Sequence, residues 1–295
     1  MRIVGALVSG GAIVTALAAP AAAAPQPPAA GRQQQSAAAA APEEAVSALH
    51  PHNLCWIEFG TKELQAAKDF FSKVFGWKFE PFGEGYEIFT PPAGLMGGFS
   101  SRAPEGTQRT LPFIYAPDVN AALVGIEAAG GVKIFGPERI PDAGHIAFFT
   151  DPAGTIYGLA DMYMTVEHSP DPFGMNGGDK PQNFTICSIE LFGGDFAQTS
   201  GFFGSQFAWS FRETMPHYMS FNPGSGVSGV YQNHTPGTKA LAYIWADDLD
   251  SAVQAVKDNG GKLMGDVINV GWMGRFAYFT APGGIEMGLI GKAAD

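Results

Sequence analysis

Two glutamates stand out because each sits alone among apolar residues in a stretch that occurs twice. Cys55-Trp56-Ile57-Glu58-Phe59 returns as Cys187-Ser188-Ile189-Glu190-Leu191, at an offset of 132 (187 − 55). A carboxylate set into an apolar strand can hold a cationic or hydroxyl-bearing ligand, or act as a base. The alternative is a structural ion pair or a hydrogen bond to backbone. His145 and Arg275 occupy equivalent places in a later strand and could partner these acids. A Glu58–His145 pair could shuttle protons near neutral pH; a Glu190–Arg275 pair could only hold fixed charge. Both basic side chains could instead face outward into solvent. Trp56, Tyr86 and Tyr218 add aromatic surface, which a small-molecule pocket needs and an ordinary core needs equally.

The elements that position these residues are legible from pattern. Strand alternation puts Trp56 and Glu58 on one face, and Cys55, Ile57 and Phe59 on the other. The apolar face takes the following helix, so Glu58 turns away from it. The offset of 132 also carries Phe70-Phe71 onto Phe202-Phe203, Phe75 onto Phe207, Trp77 onto Trp209, Tyr86 onto Tyr218 and Gly97 onto Gly229. One register held over such a length marks a duplicated unit. Later landmarks repeat at an offset of 130 (248 − 118): Asp118 with Asp248, and Gly130-Gly131 with Gly260-Gly261. Within each unit a strand–helix–three-strand pattern runs twice, giving βαβββ modules in pairs. The first unit spans residues 53–165 and the second 183–292. A Pro/Gly-rich linker, 166–182, joins them and predicts two units that fold independently.

The length of 295 residues agrees with two domains. A net charge of −11 argues against nucleic acid and anionic membrane surfaces as partners. Arg2, an uncharged apolar run from Ile3 to Ala19 and Ala21-Ala22-Ala23 read as a signal peptide over residues 1–23. The mature chain is then exported, periplasmic or secreted, and free of the membrane. Residues 24–52, rich in Ala, Pro and Gln, read as a disordered tether. Cys55 and Cys187 lie at equivalent strand positions of separate units and are expected to be free, buried thiols. His50 and His52 form a weak His-x-His, while His168, His217 and His234 read as surface residues.

Trp56-Ile57-Glu58-Phe59, Ala66-Ala67-Lys68-Asp69-Phe70-Phe71, Val74-Phe75-Gly76-Trp77 and the closing Asp151-Pro152-Ala153-Gly154 together resemble the vicinal oxygen chelate superfamily. Glyoxalase I, bleomycin-resistance proteins and extradiol dioxygenases belong to it. The second unit repeats the landmarks, with Gly274-Arg275-Phe276-Ala277 before Ala281-Pro282-Gly283-Gly284. The resemblance implies an α+β fold of paired βαβββ modules forming two cup-shaped mixed-sheet barrels in tandem. It also implies metal-ligand positions at Trp56 and Ser188, near Leu111 or Pro112 and Leu241 or Ala242, and at Gly158 and Gly288. None of these supplies a strong donor, so neither metal nor other cofactor is expected. The expectation is an exported protein that binds a small organic molecule through Trp56, Tyr86, Glu190, Tyr218 and Arg275. The alternative is an enzyme of lyase, isomerase or dioxygenase type, using Glu58 or His145 as acid or base, or a non-standard metal site. The first cup, with Trp56 and His145, is expected to be the more capable.

Overall fold

The computed structural model describes residues 52–102, 109–140, 144–162, 172, 180–233 and 240–293. The signal peptide, His50, His168, His234 and most of the tether and linker lie outside the described residues. The first unit opens with β1 (Leu54–Gly60), α1 (Leu64–Phe75), β2 (Lys78–Pro81), β3 (Tyr86–Thr90) and β4 (Gly97–Ser100). Its second module is β5 (Thr110–Tyr115), α2 (Val119–Ala128), β6 (Val132–Ile140), β7 (Gly144–Thr150) and β8 (Ile156–Ala160). The second unit begins with β9 (Ile186–Phe192), α3 (Phe196–Phe207), β10 (Ser210–Met215), β11 (Tyr218–Asn222) and β12 (Gly229–Gln232). It ends with β13 (Ala240–Trp245), α4 (Leu249–Asp258), β14 (Lys262–Leu263), β15 (Ile268–Asn269), β16 (Arg275–Thr280) and β17 (Glu286–Gly291).

Local chemistry sets the helix ends. Asp118, Asp195 and Asp248 each cap a helix by accepting from the backbone N–H three residues on. Gly76 closes α1 in the left-handed conformation, φ 69°, where a side chain would be strained. Each unit is one mixed sheet. The first runs β2-β3-β4-β1-β5-β8-β7-β6, its two modules joined where β1 and β5 pair antiparallel. The second runs β10-β11-β12-β9-β13-β17-β16-β14, with β15 also on β16. The expected α+β architecture of paired modules is what the chain adopts.

Each sheet has two apolar faces with different tasks. Ile57 and Phe59, with Ile189 and Leu191, face the helices, while Trp56 packs on the opposite, cup-side face. Cys55 departs from the alternation and packs on the cup side with Trp56. A register shift between Leu54 and Trp56 is the cause, and the same irregularity places Cys187 in the second cup. Both thiols are free and buried, and burial pushes Cys55 up to about 12.

The helix-side faces of both units and the four helices form a single core. Helix α1 packs against α4, and α2 against α3. Trp77 stacks on Phe89 at 4.6 Å and donates its indole N–H to the Phe184 carbonyl at 2.8 Å. Trp209, its counterpart, stacks on Phe221 at 4.9 Å and donates to the His52 carbonyl at 2.7 Å. Phe75 meets Phe279, and Tyr157 meets Phe203, across the same boundary. The repeat thus divides the sheets, but not the core, which runs against the expectation of units that fold independently.

Candidate functional site

Glu190 stands in the middle of β9, between β12 and β13, with its carboxylate on the cup side. It is 6% exposed. Gln232 of β12 donates to Oε1 at 2.7 Å, and the Tyr243 hydroxyl of β13 donates to Oε2. The Tyr278 hydroxyl lies 3.1 Å from that of Tyr243. Tyr243 has one proton and gives it to the carboxylate, so Tyr278 is the donor in the second bond. The result is a relay, Tyr278 to Tyr243 to Glu190. Burial raises the Glu190 carboxyl above its ordinary value, against the opposing bonds from Tyr243 and Gln232. Burial, with Glu190 beside it, also raises the Tyr243 hydroxyl.

These groups open onto a cavity of about 220 Å³. Its walls are mostly apolar: Met215, Val230, Val270, Met273, Phe276 and Ile290 among them, with Ser188, Tyr218 and Tyr278 as polar points. None of the described residues lining it is basic. An apolar chamber with a few convergent polar groups is the usual form of a small-molecule site.

The first cup arranges the same parts differently. Glu58 accepts at 3.2 Å from the Tyr86 hydroxyl, which in turn accepts from the Trp56 indole at 3.2 Å. Burial pushes the Glu58 carboxyl up to about 7, against the pull of the Tyr86 bond and the Arg102 charge. Three of the anticipated residues, Trp56, Glu58 and Tyr86, thus meet.

His145 and Arg275 do not join them. His145 pairs with Asp161, Nδ1 to Oδ2 at 2.8 Å, and Arg275 forms a two-pronged pair with Asp250 at 2.7 and 2.8 Å. Their strands, β7 and β16, stand three places from β1 and β9, or about 14 Å at ~4.8 Å per strand. The Glu58–His145 and Glu190–Arg275 pairs are corrected on that geometry. His217 is exposed and meets Asn233 at 3.0 Å.

Tyr243, Tyr278 and Gln232 were not anticipated. A signal existed for two of them. Tyr243 and Tyr278 replace Phe113 and Phe148 of the first unit, so two hydroxyls enter otherwise copied core positions.

The superfamily's metal positions are filled by other chemistry. Gly158 lies beneath the Phe113 ring and Gly288 beneath that of Tyr243, so closely that a Cβ on either glycine would collide with the ring. The Trp56 indole N–H is a donor and has no lone pair to offer. Among the described residues no three His, Cys, Asp or Glu side chains converge on one point.

No protein-family model matches the chain. A glyoxylase-like domain-containing protein of Didymella fabae is 32% identical over 98 residues, which cover 29% of this chain and 76% of that protein. A Mycobacterium tuberculosis protein named as a glyoxylase, CFP32, is 24% identical over 256 residues, 81% of this chain and 94% of its own. Among solved structures, the Mn(II)-bound glyoxalase of Novosphingobium aromaticivorans superposes with a TM-score of 0.62 at 15% identity, covering 82% of each chain. That likeness shows the fold, and the sequence relatives supply the kinship: the chain belongs to the vicinal oxygen chelate superfamily, as a glyoxalase-like member with two units in tandem.

Proposed function

We propose that the second cup binds a small, planar organic molecule, neutral or cationic, without a resident divalent metal. The observation that carries this reading is the buried Glu190 carboxylate at an apolar cavity with no basic side chain among its described lining residues. An anion entering there would lose its hydration and meet no countercharge. A hydroxyl or ammonium group can instead meet Glu190, with the ring system on the Met and aromatic walls. Calorimetric titration of chelator-treated protein with 2-naphthol, 2-naphthylmethylamine and 2-naphthoate tests it. The alcohol and the amine are expected to bind at least tenfold more tightly than the carboxylate. Preferred binding of 2-naphthoate, or a stoichiometric metal in protein purified without chelator, would overturn the reading.

One observation favours catalysis at the same site. The Tyr278–Tyr243–Glu190 chain joins a carboxyl of raised pKa to two hydroxyls at the cavity. This is a suitable arrangement for an acid–base step of lyase or isomerase type. On that reading Glu190, rather than His145, carries the proton.

The protein is further proposed to act outside the cytoplasm, on the strength of its first 23 residues. N-terminal sequencing of protein from the outer compartment is expected to begin near Ala24. Met1 intact there would count against export.

A further inference from the structure

The two cups share one plan but hold their glutamates differently. In the first, Tyr86 lies across Gly98, the residue of β4 paired with Glu58, and reaches the carboxylate from there. A Cβ at Gly98 would collide with the Tyr86 hydroxyl, so the path exists only because that position is glycine. In the second unit the residue paired with Glu190 is Val230. Its side chain stands where the tyrosine would have to pass. Gln232, two residues on and facing the same way, replaces Ser100 and takes one carboxylate oxygen. Tyr243 replaces Phe113 and supplies a phenol from the other neighbouring strand. Tyr218, the counterpart of Tyr86, lines the cavity wall instead.

We infer that Val230 determines the specificity of the second cup: its side chain keeps the Tyr218 ring off Glu190 and on the cavity wall, where the ring packs against a planar aromatic ligand bearing a hydroxyl or amine. The inference rests on the ligand reading above and adds the residue that shapes it. Exchanging the glutamate's phenol from β11 to β13 leaves Glu190 satisfied while Tyr218 becomes part of the binding surface. A ring contact of this kind, with a hydroxyl beside it, is expected to change Kd by about tenfold.

Two double variants that differ by one methyl group isolate the effect. Val230→Gly with Gln232→Ser restores the floor of the first cup, and Tyr218 is expected to swing across to Glu190. Val230→Ala with Gln232→Ser removes the same glutamine but retains a Cβ, which suffices to block the path. With 2-naphthol as the calorimetric probe, the glycine double variant should bind about tenfold more weakly than the alanine one. Its crystal structure should show the Tyr218 hydroxyl within hydrogen-bond reach of Glu190. Equal affinities of the two double variants, with Tyr218 still on the wall, would overturn the inference while leaving the ligand reading intact if wild-type protein binds the probe. Wild-type protein that fails to bind would defeat the ligand reading, and the position of Tyr218 in the glycine variant would then decide the steric gate alone. Should that variant not fold, Gly98→Ala poses the converse question. Displacement of Tyr86 from Glu58 in its crystal structure supports the gate, and Tyr86 unmoved refutes it.

Discussion

Produced separately, residues 53–165 and 183–292 are expected to lose cooperative folding, although each contains a complete set of strands and helices. The reason is the shared core. Separation uncovers Phe75, Phe203, Phe207 and Phe279, which are buried in the intact chain and touch the other unit or pack beside the boundary. At about 1.5–3 kcal/mol for each fully buried large side chain, even partial exposure of four rings is comparable with a whole-domain stability of ~5–15 kcal/mol. Separation also removes the Phe184 carbonyl to which the buried Trp77 indole donates, and starting the first fragment at residue 53 removes the His52 carbonyl that accepts from Trp209. Each unmatched donor costs a further ~1–3 kcal/mol. Either fragment alone should aggregate or show no sharp denaturation midpoint by circular dichroism. Co-expression should restore a soluble complex. A single fragment with a cooperative transition and native-like near-ultraviolet signal would show that the boundary is dispensable.

The sequence carried part of this. Element order and both registers follow from repeated residues, because duplication preserves spacing even where loops lose two positions. The shared core was also foreshadowed in Phe70-Phe71 and Phe202-Phe203. Adjacent helical residues point about 100° apart, and all four of these rings are buried. Such a helix is covered on more than one side, by something beyond its own sheet. Phe70 does meet Phe279 of the other unit. Pattern alone could not say what the second cover was.

The site was legible to the strand and obscure beyond it. Alternation placed Glu58 and Glu190 correctly, since period two admits only two faces. Their partners lay out of reach of that logic. His145 and Arg275 hold equivalent places in the repeat, but equivalence says nothing of distance across a sheet, and Asp161 and Asp250 stand nearer. The actual partners come from other strands: β3, two places away across β4, for Glu58, and the adjacent β12 and β13 for Glu190. Which strand supplies the phenol turns on whether a glycine or a valine lies beside the acid, a steric detail with no periodic signature.

Glu58→Gln is expected to make the protein more stable above neutral pH, and to leave it nearly unchanged in acid. Burial raises the folded-state Glu58 pKa from an ordinary 4.5 to about 7. Between those values the folded chain binds more protons than the unfolded one, so stability falls as pH rises through the interval. The contribution is fully present below about pH 4.5 and lost above about pH 7, a difference on the order of 3 kcal/mol. Glutamine keeps the acceptor for the Tyr86 hydroxyl and carries no charge to desolvate. Urea midpoints for wild-type and variant protein should therefore coincide near pH 4.5, diverge through pH 6 and run parallel above pH 7.5, the variant higher. Glu190→Gln should shift in the same direction, because burial is the largest influence on that carboxyl too and Arg275 is held by Asp250, not by Glu190. A variant less stable than wild type at pH 8 would mean that the Tyr86 bond and the Arg102 charge outweigh burial. The first cup would then hold a permanent carboxylate.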